Sequence, residues 1–396
     1  MKITDLKCAV IGQNPVIRIS TDGGIYGYGQ AENTKSYLKP HVLFYKQYLI
    51  GEDPTNVERV MMKIRRMASF KPWGSAVSAI EMALWDIAGK VSGLPVYKLL
   101  GGKIRDKVRV YNGGVRFPLQ GYNPEDYAED MRKMKAAAEG FTIIKSPIGF
   151  HSPMPHQIPN FSYDEPRTGA PHANRGLLTE KGMKHIIACV EAMKSVLGDE
   201  IGLALDCGPG WMVPDAIRVA RSLEPLNIMW MEDLITGDYT PYALADVYRE
   251  VTQATSTPIH TGEQIYLRQN FKELIEKHAI RVIGPDPEDI GGLAELKWVA
   301  EYADLHGIMM APHGVFDGLI GLAALVQVCA TLPQNYIAFE YPIAMPDWWY
   351  DIIHGLPNPI VKNGLIEVWD TPGLGVDFKV EQARQYLAAE DKDFFN

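Results

Sequence analysis

Seven short apolar runs in this chain each stop on a residue that can carry charge. They end at Lys145 in IIKSP, Asp206 in LALDC, Glu232 in WMEDL, Glu263 in HTGEQ, Asp286 in IGPDP, His313 in MAPHG and Glu340 in AFEYP. A carboxylate closing a buried strand is costly unless something pairs with it. Asp206, Glu232 and Glu263 close successive runs, and three carboxylates sharing a dry site would force protonation on one another unless a cation joined them. Ligation by a few protein oxygens, with room left for water and substrate, suits Mg2+. Asp286 and His313 close the next two runs. A carboxylate bonded to one imidazole nitrogen fixes the tautomer and raises the basicity of the other, giving a general base near neutral pH. Singly, such a residue is more often a salt bridge, a helix cap or a structural histidine. Their succession at matching run ends is what favours chemistry.

The elements that would position them follow from the rhythm of the chain. After Val108, short apolar runs alternate with amphipathic segments such as GMKHIIACVEAMKSVLG and DAIRVARSLEPL. Strands alternating with helices imply a parallel sheet, and the spacing is that of βα units. So many units predict a (β/α)8-type barrel, an α/β fold whose strand C-termini gather at one mouth. No GxGxxG follows a strand, which removes the main reason to expect a dinucleotide fold. Before the barrel, residues 1–110 read as an α+β capping domain, with strands in MKITDLKCAVIG and NPVIRISTDGGIYGYGQAE, an Asp22-Gly23-Gly24 turn and a helical pattern from Val57 to Val91. The barrel is expected over 111–362 and a C-terminal segment returning toward the cap over 363–396. A Pro-, His- and aromatic-rich insertion at 149–176 interrupts the alternation, and loops of that length serve function or are disordered. Its aromatic content favours an ordered lid.

Composition narrows the function class. The 396 residues suit one large domain plus a smaller one. A formal net charge of −9 argues against nucleic acid and anionic membranes as partners, since both need a clustered basic face. No apolar stretch reaches the roughly 20 residues of a membrane span, and the first residues lack the features of a signal peptide. The cysteines Cys8, Cys189, Cys207 and Cys329 lie far apart without a CxxC, so a reducing cytoplasm is the expected compartment.

SAVSAIEMALWDIAGKVSGLPVYKLLGG resembles the helix and link that end the capping domain of the mandelate racemase-like group of the enolase superfamily. LALDCG, MWMEDL, TGEQI, PDPEDIGG and APHG resemble its successive barrel motifs, in order and spacing. The likeness covers nearly the whole chain and points to the sugar-acid dehydratases of galactonate, gluconate and mannonate type. It implies that a substrate carboxylate meets Mg2+ held by Asp206, Glu232 and Glu263, that a base removes the α-proton, and that an enediolate forms. By the same resemblance, Asp286 and His313 match a catalytic dyad and Glu340 matches a carboxylate that bonds substrate. Lys145 matches the first lysine of a Lys-x-Lys pair, which implies an electrostatic partner for substrate or intermediate, or an acid. A homo-oligomer is also implied, because barrels of this family are often symmetric assemblies.

Two departures matter. Pro147 stands where the second lysine would be, so racemisation, which needs a base on each face, loses support. Gly208 stands where several sugar-acid dehydratases keep a histidine that protonates the departing hydroxyl. Candidates for that proton are His313 acting twice, Tyr163, His151 or His156 in the insertion, and Asp289 in PEDIGG. Trp348 in MPDWWYD is expected to wall the pocket, and Asn33, Tyr37 and Trp73 of the cap to bear on specificity. The leading expectation is a dehydratase producing a 2-keto-3-deoxy acid. The alternatives are an epimerase or cycloisomerase using the same enediolate, and a non-catalytic or regulatory barrel.

Overall fold

The computed structural model describes residues 1–68, 74–113, 116–163, 176–235, 243–314, 318–342 and 348–396, with Arg66 as backbone only. Three antiparallel strands open the cap: β1 Ile3–Ile11, β2 Asn14–Thr21 and β3 Tyr26–Gln30. The helix Ser75–Ser92 lies across this sheet, and β3 admits it through glycine. A Cβ at Gly27 would sit 2.2 Å from the Ala83 carbonyl oxygen, and one at Gly29 would sit 1.8 Å from that of Ala79. YGYGQ is therefore a packing surface for a helix, its bare backbone standing where side chains would hold the two elements apart. The helix ends at Gly93, whose left-handed φ of 67° closes its last turn.

Eight further strands form the second body. Six are parallel and hydrogen-bonded in the order β10-β9-β8-β7-β6-β5: β5 Ile143–Pro147, β6 Gly202–Asp206, β7 Trp230–Glu232, β8 Ile259–Thr261, β9 Val282–Ile283 and β10 Met309–Met310. β4 (Lys107–Asn112) pairs in parallel with β11 (Phe339–Tyr341). Two seams close the ring. Main-chain bonds from Ile337 to Met310 and from Glu340 to Pro312 join β11 to β10, and the Asn112 side-chain amide exchanges two hydrogen bonds with the backbone of Lys145, joining β4 to β5. Strand order around the ring is thus chain order. Helices of nine residues or more connect consecutive strands, whereas the first helix described after β11 is the four-residue Trp349–Ile352.

Period-two alternation divides the strand residues into two sets. Ile144, Leu203, Leu205, Met231, Ile259, Ile283, Met310 and Phe339 face outward into one core with the helices. Tyr111, Ile143, Ala204, Trp230, Val282, Ala311 and Ala338 face inward and form a buried apolar plug across the barrel. A barrel of this width is filled by such layers of side chains.

Cap and barrel are joined at the loop before the helix Leu293–Leu305. Glu81 of the cap helix accepts the backbone N–H groups of Leu293 and Ala294, at 2.5 and 3.0 Å, and Ser78 accepts that of Gly291. These are otherwise unsatisfied donors at a helix N-terminus, so the cap supplies the barrel helix with its cap. The chain's end also returns to the first domain. Asp391 accepts the N–H of Val10 and pairs with Lys39, and the Lys7 ammonium reaches the carbonyl of Asp393.

Candidate active site

Two residues beyond the plug, on the same inward faces, stand the ionisable residues. Ile143 leads to Lys145, Ala204 to Asp206, Trp230 to Glu232, Ala311 to His313 and Ala338 to Glu340. One apolar layer therefore floors a layer of charge. Lys145, Glu232, Asp286 and Glu340 are each exposed by 2% or less.

Lys145 is the hub of one half. Its Nζ lies 2.7 Å from Glu232 Oε1, 3.0 Å from Glu340 Oε1 and 3.6 Å from Asp206 Oδ2. Burial alone would lower its pKa, but Glu232, Glu340, Tyr111 and Asp206 together hold it well above the usual lysine range. Glu232 is affected in the opposite sense. Burial would raise it, yet Lys145 and His260, with a 2.8 Å bond from Trp230 Nε1, bring it down to about 2. His260 lies beneath Glu232, stacked on Trp230, and its own pKa is lowered by burial.

His313 is the hub of the other half. Its Nδ1 lies 2.6 Å from Asp286 Oδ2, while Nε2 is 3.2 Å from Glu263 Oε2 and 3.4 Å from Glu340 Oε2. Asp286 is itself held by the Glu288 backbone N–H at 2.6 Å. The pKa of His313 rises to about 10: burial lowers it, but Glu340 and Asp286 outweigh that. The site thus brings together all seven run-ending residues around the Lys145 ammonium and the His313 imidazole.

A divalent cation has a fitting donor set. Oxygens of Glu232, Asp233 and Glu263 lie within 4.8 Å of one another, and no softer ligand is among them. Asp206 stands outside this group, with the Lys145 ammonium near both it and Glu232. Asp233 lay outside the sequence reading. It adopts a left-handed φ of 52° at the end of β7 and accepts a hydrogen bond from the Thr261 hydroxyl.

The sequence reading also missed a contribution from the cap. Glu32, just after β3, is buried and paired with Lys35, and its N–H bonds Ser75 Oγ. Its pKa is raised by burial and by Asp286, against the pull of Lys35 and His313. Asp289 is buried in the same region, and burial, Glu32 and Asp286 hold its carboxyl well above the usual range. Nothing local in QAENTK marks Glu32. Only the docking of cap on barrel brings it there.

The remaining candidates fall in different places. His151 Nδ1 is 3.3 Å from Asp206 Oδ1. His156 is half-buried on the short helix Met154–Gln157, and Tyr163 is 73% exposed. Residues 164–175 of the insertion lie outside the described residues. Trp348 stacks on Tyr386 at 4.0 Å and covers Gly12, which packs it between the β1–β2 turn and the C-terminal segment. Asn33 accepts the N–H of Thr34, Tyr37 is about half exposed, and Trp73 lies outside the described residues.

Comparison with known proteins agrees along the whole chain. A family described as enolase C-terminal domain-like matches residues 126–383, and one described as mandelate racemase / muconate lactonizing enzyme, N-terminal domain, matches 10–101. The chain is 31% identical to the D-xylonate dehydratase of Haloferax volcanii, over 98% of this chain and 89% of that protein. It is 30% identical to a D-mannonate dehydratase of Caulobacter vibrioides over 100% of both. Among solved structures, a mandelate racemase/muconate lactonizing enzyme-like protein of Rubrobacter xylanophilus superposes with a TM-score of 0.82 at 31% identity, over 98% of each chain. The 3,6-anhydro-D-galactonate cycloisomerase of Zobellia galactanivorans gives 0.78 at 25% identity, over 98% of this chain and 100% of that one.

Proposed function

The chain belongs to the enolase superfamily, in its mandelate racemase and muconate lactonizing enzyme group, and from that premise we propose that it is a Mg2+-dependent dehydratase of a sugar acid, an aldonate or aldarate. The observation that carries this reading is the orientation of one imidazole. Asp286 holds Nδ1 of His313 at 2.6 Å, so Nε2, which faces the carboxylates inside the ring, is the atom that takes up a proton. A base so held, beside an oxygen-rich cluster, suits removal of the proton α to a carboxylate.

Asp206, Glu232 and Glu263 are the residues we assign to Mg2+, with Asp233 adjacent. When bound, that ion would offset the charge of the substrate carboxylate and the second negative charge that develops on it. The chain's own groups do the rest. His313 Nε2 takes the α-proton, and the electron pair moves into the carboxylate to give an enediolate. Its collapse expels the β-hydroxyl as water, and the resulting enol ketonises. Lys145, buried and kept cationic by its neighbours, adds positive charge where the enediolate forms, in a site where water does not screen it. Glu340, bonded to Lys145 and close to His313, holds the two halves in register.

The test is a panel of aldonic and aldaric acids incubated with the protein and Mg2+, with 2-keto acids assayed by semicarbazide and α-proton exchange followed in D2O. Keto-acid formation is the expected result. A specific observation favours a second reading, a cycloisomerase: the Zobellia enzyme matches over its full length. Exchange with an isomeric product and no keto acid would move the assignment there. Neither signal from any acid would leave a non-catalytic barrel.

A further inference from the structure

Loss of a β-hydroxyl needs an acid as well as a base, and the mouth of the barrel places an imidazole opposite His313. In the ring order β4 to β11, β6 and β10 are four strands apart in eight, so their ends face each other across the diameter. His313 follows β10. His151 is held at the end of β6, where its Nδ1 is 3.3 Å from Asp206 Oδ1.

The LDCGPGW stretch is shaped to hold it. The His151 N–H donates to the Cys207 carbonyl at 3.1 Å, and the Ile148 N–H donates to that of Asp206 at 2.8 Å. Trp211, anchored by its Nε1 on the Cys207 carbonyl at 3.0 Å, closes over Gly149, where a Cβ would lie 2.5 Å from the indole. Gly208 has a φ of +58°, and a Cβ there would lie 2.7 Å from both Cβ and Nδ1 of His151. The space for a side chain at 208 is filled by the imidazole at 151. That side chain is 40% exposed, whereas Lys145 is buried and engaged by Glu232 and Glu340.

We propose that His151 is the proton donor to the leaving β-hydroxyl. The inference rests on the dehydratase reading above. His313 first takes the α-proton and the C–H electron pair passes into the carboxylate as the enediolate; when that pair returns to form the C=C bond of the enol, the β-carbon–oxygen bond breaks. The His151 ring gives a proton to that oxygen, which departs as water. The proton given by His151 matches the one taken by His313, so the reaction as a whole neither gains nor loses a proton.

The test uses His151→Ala and a sugar acid that the wild-type protein converts to a keto acid. Keto-acid formation should fall by about 100-fold or more, the size of a general-acid contribution. Exchange of the α-proton in D2O should persist at the wild-type rate. A 3-deoxy-3-fluoro analogue, whose fluoride leaves without a proton, should be processed by the variant as fast as by the wild type. Mg2+ affinity by calorimetry should stay within about twofold, which a role in merely positioning Asp206 would not allow. Gly208→Ala should reproduce the loss by displacing the imidazole. Undiminished dehydration in His151→Ala overturns the proposal, as does a parallel fall in exchange, in Mg2+ affinity or with the fluoro analogue. If the wild-type protein gives no keto acid from any substrate, the dehydratase reading fails first and this inference with it.

Discussion

The two ends of the barrel are made from the same strands and have opposite characters. At the C-terminal mouth, Lys145, Glu232, Asp286, His313 and Glu340 are nearly inaccessible and lie against one another. At the N-terminal end, a solvent-open groove of about 1070 Å3 is lined by Arg109, Thr142, Glu191, Lys194 and Asp199 around Gly202. Ion pairs are worth little there, because water screens them. Taking a charge out of water costs several kcal/mol per ion even after relaxation, so the mouth is expensive for the fold. Between the two lies the plug of Ile143, Ala204, Trp230 and their neighbours. Two residues of strand, roughly 7 Å, separate the layer that stabilises from the layer that reacts. Substitutions in one should therefore leave the other's property largely intact.

The largest effect should come from His313→Asn. Loss of the base is expected to cut α-proton exchange by about 10²–10⁴-fold, measured by NMR in D2O, with the protein still folded. Exchange that survives would break the assignment of the mouth as the reactive end. Next, Ile143→Ala removes plug volume and should cost about 2–5 kcal/mol in denaturant unfolding, while turnover well below the melting temperature stays near wild type. Third, Mg2+ at 100 times its dissociation constant should stabilise the wild-type protein by about 2.7 kcal/mol, a shift reversed by EDTA. Glu232→Gln should lose that shift in calorimetry, and Ile143→Ala should keep it.

A smaller effect concerns the joint between cap and barrel. Burial pushes Glu81 up to about 7, against the opposing pull of Arg65 and the backbone N–H groups of Leu293 and Ala294. Its folded state thus binds a proton more tightly than the unfolded chain. The resulting stability is fully present below about pH 4.5 and is lost as pH rises through about 7. The melting temperature of Glu81→Gln should vary less with pH across that window than that of the wild type; identical slopes would remove Glu81 from the account. Smallest of all, Glu191→Gln in the open groove should change stability by no more than about 0.5 kcal/mol and leave turnover alone. A large loss of turnover there would end the separation of the two ends.

How much of this was legible in the sequence depends on the range of the interactions. The residues Lys145 to Glu340 could be read because each closes its own strand and consecutive βα units lie side by side, so chain order becomes ring order. The YGYG glycines belonged legibly to a strand, but the helix pressed against them did not show, since a close approach leaves no periodic pattern. Trp348 illustrates the limit from the other side. An aromatic after the last barrel strand was expected at the pocket, and its stacking on Tyr386 depends on where the C-terminal segment returns.

From the sequence alone come the barrel, the capping domain, the order of the ionisable strand ends and the pairing of Asp286 with His313. Alternation and βα connectivity are local properties, and the ring follows from them. The tertiary structure alone decided that Lys145 lies between Asp206, Glu232 and Glu340, that Asp233 joins Glu232 and Glu263, and that Glu32 enters from the cap. It also decided that His151 fills the space beside Gly208. Each of these depends on segments far apart in the chain being pressed together by burial, and the distances that then decide protonation and reach are set by packing.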